Sequence, residues 1–134
     1  MTENKELFRN IFEQINRTHD AEAFSRNLAD SIVFVNPVTG IGDKNGMVGF
    51  HTGLFAAFPD INYHVDRIIS QEDTVAAQCT VSGTQKGEFA RLPATNKSIS
   101  LPVAFITVFQ RDKITHWYSY FDTATMMRQL GATK

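Results

Sequence analysis

Residues 98–122 read SISLPVAFITVFQRDKITHWYSYFD. Two runs rich in β-branched and aromatic residues flank the polar pair Arg111-Asp112, which is the pattern of two strands joined by a tight turn. Upstream, INYHVDRIIS (61–70) and TVAAQCTVSGT (74–84) have the same character and are separated by Gln71-Glu72-Asp73. Four sequential strands therefore follow Pro59. Before it the period changes to that of helices. Leu7, Phe8, Ile11, Phe12 and Ile15 recur at helical spacing within residues 3–17, and Met47, Phe50, Leu54 and Phe58 form a second stripe within 45–58. Between these lie a short helix with Asp20 as its N-cap, burying Phe24 and Leu28, a short strand SIVFVNP and a turn-rich connection TGIGDKNG. TATMMRQLG (123–131) is a closing helix that stops at Gly131. Helices first and strands after predict an α+β domain with helices on one face of a curved, mainly antiparallel sheet, and a cone-shaped cavity between the layers.

Whole-chain properties narrow the function. A length of 134 residues corresponds to one domain, spanning 1–134 and large enough to bury roughly two-thirds of its unfolded surface. Thirteen Lys and Arg against fourteen Asp and Glu leave no basic footprint for nucleic acid. No apolar run is long enough to span a bilayer, and the polar start MTENKE is not a signal peptide. The single Cys79 rules out an internal disulfide and suits a reducing, cytoplasmic setting. Eleven Phe can fill a core or line an apolar cavity.

The last strand carries the side chains with chemistry. Strict alternation from residue 114 puts His116, Tyr118, Tyr120 and Asp122 on one face with Ile114, and Thr115, Trp117, Ser119 and Phe121 on the other. The first set is expected to line the pocket, shielded from water, and the second to form a subunit interface. Asp122 has two readings that are compatible. It is a favoured N-cap for the closing helix, and it is a carboxylate among apolar neighbours, whose pKa desolvation would raise towards acid-base use. His51 falls within the Met47–Phe58 stripe and points inward. It is either a core histidine satisfied by a carbonyl or a partner for Asp122 and His116. Asn36 either turns the chain with its own backbone or presents an amide to a ligand. Tyr118 and Tyr120 pack, with hydroxyls able to polarise a carbonyl, and Phe50, Leu54, Phe58 and Phe105 supply apolar lining. His19, in a turn, and His64, facing outward, are of less interest. Phosphate loops, G-x-S-x-G and zinc motifs are missing. What remains is a cofactor-free site of one carboxylate and one or two imidazoles, with no metal.

AAFPDI (56–61), GTQKGEF (83–89), LPATNKSI (92–99), KITHWYSYFD (113–122) and RQLG (128–131) together resemble the SnoaL-like polyketide cyclases. These belong to the nuclear-transport-factor-two-like superfamily, with ketosteroid isomerase and limonene epoxide hydrolase. The resemblance implies a cone-shaped α+β barrel, often homodimeric, without metal or organic cofactor. It also implies an acid/base aspartate seven residues before the Gln of the Q-L-G ending, a spacing that Asp122 and Gln129 share. Four departures mark this chain: Gln85 where the family often has His, His116-Trp117-Tyr118 where Glu-His-Trp is common, Asn36 for a frequent His, and Arg91 and Asn96 for two glycines. The implied activity is proton transfer on a mostly apolar carbonyl compound, giving ring closure or isomerisation. The contrasting expectation is a non-catalytic binding or scaffold protein, since this fold serves both purposes. The segment 84–97 is expected to sit at the cavity mouth or against a partner, with Glu88 and Arg91 as exposed charges outside the chemistry.

Overall fold

The computed structural model describes residues 3–131; Met1 and Thr2, of the polar start, lie outside them. The chain runs α1 (Glu3–Thr18), α2 (Ala21–Ser25), β1 (Leu28–Asn36), β2 (Gly40–Gly42), α3 (Lys44–Ala57), β3 (Asn62–Gln71), β4 (Thr74–Thr84), β5 (Ser98–Gln110), β6 (Lys113–Tyr120) and α4 (Thr123–Gln129). Aspartate starts three of the helices. Asp20 accepts from the Glu22 amide at 3.0 Å, Asp43 from Gly46 at 2.9 Å and Asp122 from Ala124 at 3.0 Å. Each meets one of the amides that a first turn leaves without an internal partner.

The six strands form one sheet in the order β2-β1-β6-β5-β4-β3. Its neighbours are antiparallel except β1 and β6, which run parallel. The sheet is curved and open, and the helices cover its concave face. The antiparallel run β3 to β6 is the one expected from residues 61–122. The connection 39–46 also contains β2, three residues long and too short to leave a periodic signal. Leu28 belongs to β1, where it is buried, rather than to the second helix.

Inward residues of β4 (Val75, Ala77, Cys79, Val81) and β5 (Leu101, Val103, Phe105, Thr107) alternate with outward ones and meet the apolar stripe of α1. The phenylalanines do both things composition allows. Phe8 and Phe12 stack with centroids 4.4 Å apart, and Phe12 stacks on Trp117 at 5.5 Å, so these rings pack the core between α1 and the sheet. Phe50, Phe58, Phe89 and Phe105 line what is left open.

β6 breaks the expected alternation. The β5–β6 register shifts between the pairs Val108↔His116 and Phe109↔Ile114, so Thr115 is an extra residue on β6. Its hydroxyl donates to the Val108 carbonyl at 3.2 Å. A one-residue bulge turns every later side chain to the opposite face. Ile114, Trp117 and Ser119 are buried on the concave side, while His116 and Tyr118 are half-buried and Tyr120 is 51% exposed on the other. The two expected faces are therefore exchanged.

α4 packs against β5 at a point where the sheet leaves an edge. The β5–β6 ladder ends at Ala104↔Tyr120, and Pro102 lies beyond it, where the missing amide costs little. Gln129 takes the place of a strand there: its Nε2 donates to the Ser100 carbonyl at 3.1 Å, and its Oε1 accepts from the Ser100 amide at 2.8 Å.

Candidate functional site

The cone between sheet and helices holds a cavity of about 50 Å3. α3 contributes Phe50, His51 and Leu54, the strands contribute Tyr63, Phe105, Trp117 and Ser119, and Phe89 enters from the 85–97 lobe. Hydrocarbon dominates this surface. Polar groups reach it from His51, Tyr63, Trp117 and Ser119.

His51 is 3% exposed, and its Nδ1 lies 2.9 Å from the Met47 carbonyl one turn earlier on α3. A carbonyl only accepts, so Nδ1 carries the proton and Nε2 keeps its lone pair. Burial lowers the pKa from 6.5 to about 4, outweighing the opposing pull of the Met47 bond. The imidazole is thus neutral at physiological pH. Trp117, fully buried, meets His51 edge to face with centroids 5.8 Å apart, and its Nε1 has no hydrogen-bond partner among the described residues. Burial also raises the Tyr63 pKa, so this phenol stays protonated.

Asp122 is placed differently from the sequence expectation. It is exposed at the N-terminus of α4, where Oδ1 accepts from the Ala124 amide at 3.0 Å and Oδ2 from the Thr125 hydroxyl at 2.7 Å. These bonds hold its pKa below the ordinary carboxylate value, the Thr125 hydroxyl contributing most. The expected net upward shift does not occur, because these bonds outweigh the upward push of desolvation on an exposed carboxylate. The cap reading describes its geometry. Its chain neighbour Phe121 and, on α4, Met126 line the cavity, while Asp122 itself does not.

His116, Tyr118 and Tyr120 do not line the cavity, as a result of the Thr115 bulge. They form a ladder on the outer face, with centroids 6.0 Å from His116 to Tyr118 and 6.4 Å from Tyr118 to Tyr120. Asn36 is buried, but its amide is used locally: Oδ1 accepts from the Val38 and Thr39 amides, and Nδ2 donates to Thr39 Oγ1 at 2.7 Å. It is the turn former rather than a ligand group. Of the residues expected to act together, the structure assembles His51, Phe50, Leu54, Phe58 and Phe105, and it separates Asp122, His116, Tyr118, Tyr120 and Asn36 from them.

Trp117, Ser119 and Phe121 are lining residues that alternation assigned to an interface. The signal for them was present: the set with Trp and Phe is more apolar than the set with His, two Tyr and Asp. Gln85, the departure from the family's histidine, is fully buried and saturated. Its Nε2 donates to the Gly87 and Leu92 carbonyls, and its Oε1 accepts from Thr95 at 2.8 Å. It laces the 85–97 lobe together. Phe89 and Leu92 pair across a two-residue turn, leaving Glu88 and Arg91 in solvent. Among the described residues no three His, Cys, Asp or Glu side chains gather as a metal site, and no helix is long and apolar enough to cross a membrane.

The family model for SnoaL-like polyketide cyclases matches residues 6–130. The chain belongs to this family. Among solved SnoaL-like folds it is similar to AclR of Streptomyces galilaeus, described as a candidate hydroxylase: 25% identity over 100% of this chain and 99% of that one, TM-score 0.89. It is also similar to IdmH of Streptomyces antibioticus, a candidate polyketide cyclase: 25% identity over 96% of this chain and 98% of that one, TM-score 0.81. A candidate SnoaL-like cyclase from Jannaschia sp. CCS1 shares the fold, with TM-score 0.87 at 16% identity over 99% of this chain and 94% of that one. No curated protein matches the sequence. The open, curved α+β sheet is that of the superfamily.

Proposed function

We propose that this SnoaL-like protein is a cofactor-free acid/base enzyme that isomerises or closes a ring in a mostly apolar carbonyl compound. The observation that carries this reading is the apolar cone with a few polar groups, one of them an imidazole, set in its wall. Ring and aliphatic side chains would fold the compound and position it, which alone can supply a large part of an acceleration. The substrate's oxygen would lie against the polar part of the wall. Asp122 would take the carbon-bound proton and return it to another carbon of the enolate. Its depressed pKa keeps it in the basic, ionised form at neutral pH. To reach inward it must give up its bonds to the Ala124 amide and the Thr125 hydroxyl.

A second reading is favoured by a specific observation. Both Asp122 oxygens are engaged at the helix end, and the cavity of about 50 Å3 is well below the ~150 Å3 that accepts a benzene ring. A non-catalytic protein binding a small molecule fits those two facts. On either reading the ligand enters by displacing the lobe that carries Phe89. We further propose a homodimer formed through the outer sheet face, where Ile106, Tyr118 and Tyr120 stand.

One substitution separates the readings. Asp122→Asn keeps the cap, since Asn caps as well as Asp. It should lower deuterium exchange into a bound ketone by roughly 100- to 10,000-fold with the thermal midpoint little changed. Exchange at the parent rate in this variant removes Asp122 from the chemistry. Absence of exchange in the parent protein, with the ketone bound, leaves the binding reading.

A further inference from the structure

We infer that the cavity recognises a hydroxyl group, that of an alcohol or phenol, through His51 and Trp117. The inference rests on the reading above that the cone is a ligand site, and it specifies the chemistry of its deep end.

Two adjacent rings in the wall have complementary unmet hydrogen-bonding capacity. Trp117 offers a donor only, because the indole nitrogen carries a hydrogen and no available lone pair. That Nε1 is buried and unpartnered. His51 offers an acceptor only, because its Nδ1 proton is already committed to the Met47 carbonyl. Nε2 makes no hydrogen bond among the described residues, and the two rings sit 5.8 Å apart edge to face. A buried donor left unpaired, as Trp117 Nε1 is, is costly. A carbonyl oxygen can accept from Trp117 but has nothing to give His51. An ether is the same. A hydroxyl does both, accepting from the indole N–H and donating to the imidazole lone pair. In the proposed reaction this selects a substrate that carries an alcohol beside its carbonyl.

The rigidity of the surroundings sharpens the selection. Phe24, Phe34, Phe50 and Phe55 pack around the imidazole with centroids 5.2–5.8 Å away. A swing of the imidazole to a second orientation would have to displace these rings. His51 thus cannot turn Nδ1 towards a ligand without breaking the Met47 bond.

The sequence contains one Trp, so a 15N-labelled sample gives one indole N–H resonance, and that resonance is Trp117. The test titrates the intact protein with phenol, anisole, benzaldehyde and toluene, four probes of nearly equal shape. Phenol is expected to bind roughly tenfold more tightly than anisole, as when a site's buried polar groups are met rather than left unpaired. It should also move the indole resonance downfield, and toluene should not. His51→Phe should level phenol with anisole while toluene binding persists. Equal affinity for phenol and anisole overturns the inference, as does a motionless indole resonance, which is also the result expected if a held water already serves both groups. Entry by none of the four probes overturns it as well. The Asp122→Asn assay reads turnover and not this preference, so either idea can fail while the other stands.

Discussion

His51 lies among the rings of Phe24, Phe34, Phe50, Phe55 and Trp117, with only the Met47 carbonyl to favour its charged form. The folded pKa of about 4 against an ordinary 6.5 makes this residue a proton-linked stabiliser. The folded state keeps His51 neutral where the unfolded chain has already taken up a proton. Its contribution is complete above pH 6.5 and declines as the pH falls towards 4, by about 3 kcal/mol in all. The exposed carboxylates with lowered pKa, Asp60, Asp66 and Asp122, act below this window, because their depressed values lie under the usual carboxylate range. Urea unfolding at a series of pH values should therefore lose stability between 6.5 and 4. His51→Phe should flatten that limb and leave the more acidic one. An unchanged limb in the variant would mean that other groups carry it.

At the scale of elements, the Thr115 bulge and the Gln129 clasp do most to set the site. How far each was legible differs for physical reasons. Helix stripes, the Asp20 cap and the β4 and β5 boundaries follow from local patterns, and the structure has them at or near those positions. The bulge does not. Thr115 is an ordinary strand residue by composition, and only pairing with Val108 and Phe109 makes it supernumerary. Period-two counting through it put His116 and Tyr118 inward and Trp117 outward, whereas the bulge turns His116 and Tyr118 outward and Trp117 inward. Asp122 was legible as a cap because capping is local, whereas its solvent exposure depends on where α4 docks. That docking rests on Gln129, whose side-chain amide satisfies both backbone groups of Ser100. Gln129→Ala should cost about 1–2 kcal/mol for the two bonds and free the edge of β5. Amide exchange in α4 and at Ser100 should quicken while α1 keeps its protection. Equal quickening throughout the protein would indicate a general loss of stability instead.

For the whole molecule, the outer face of the sheet is the surface without a partner in the described chain. Outward residues of β5 and β6 include Pro102, Ala104, Ile106, Tyr118 and Tyr120, with no Lys, Arg, Asp or Glu in the β5 row from Ser98 to Gln110 or the β6 row from His116 to Tyr120. Ile106 is 37% and Tyr120 51% exposed. An uncharged aromatic face of this kind is what a homodimer buries. The interface is expected here, and not through Trp117 and Phe121, which face the cavity. Tyr120→Glu would place two carboxylates against apolar surface in a symmetric contact. Sedimentation equilibrium should show the parent as a dimer and this variant as a monomer with the same far-ultraviolet circular dichroism. A monomeric parent at all accessible concentrations would remove the proposal.

The parallel pairing of β1 with β6 also governs the order in which the protein can be made. β3, β4 and β5 are neighbours in sequence and in the sheet, so a chain leaving the ribosome can zip them as each hairpin emerges. β1 has only the three-residue β2 beside it until β6 is synthesised near the end. Closing so long a loop for a parallel pair is slow, because its entropy is lost before the contacts return it. Through that interval α1 to α3 have the β3–β5 meander as floor but no wall on the β1 side, and the cone stands open with its phenylalanines in reach of other chains. Pulse-labelled hydrogen exchange would read this sequence of events as protection arriving in β4 and β5 first and in β1 last.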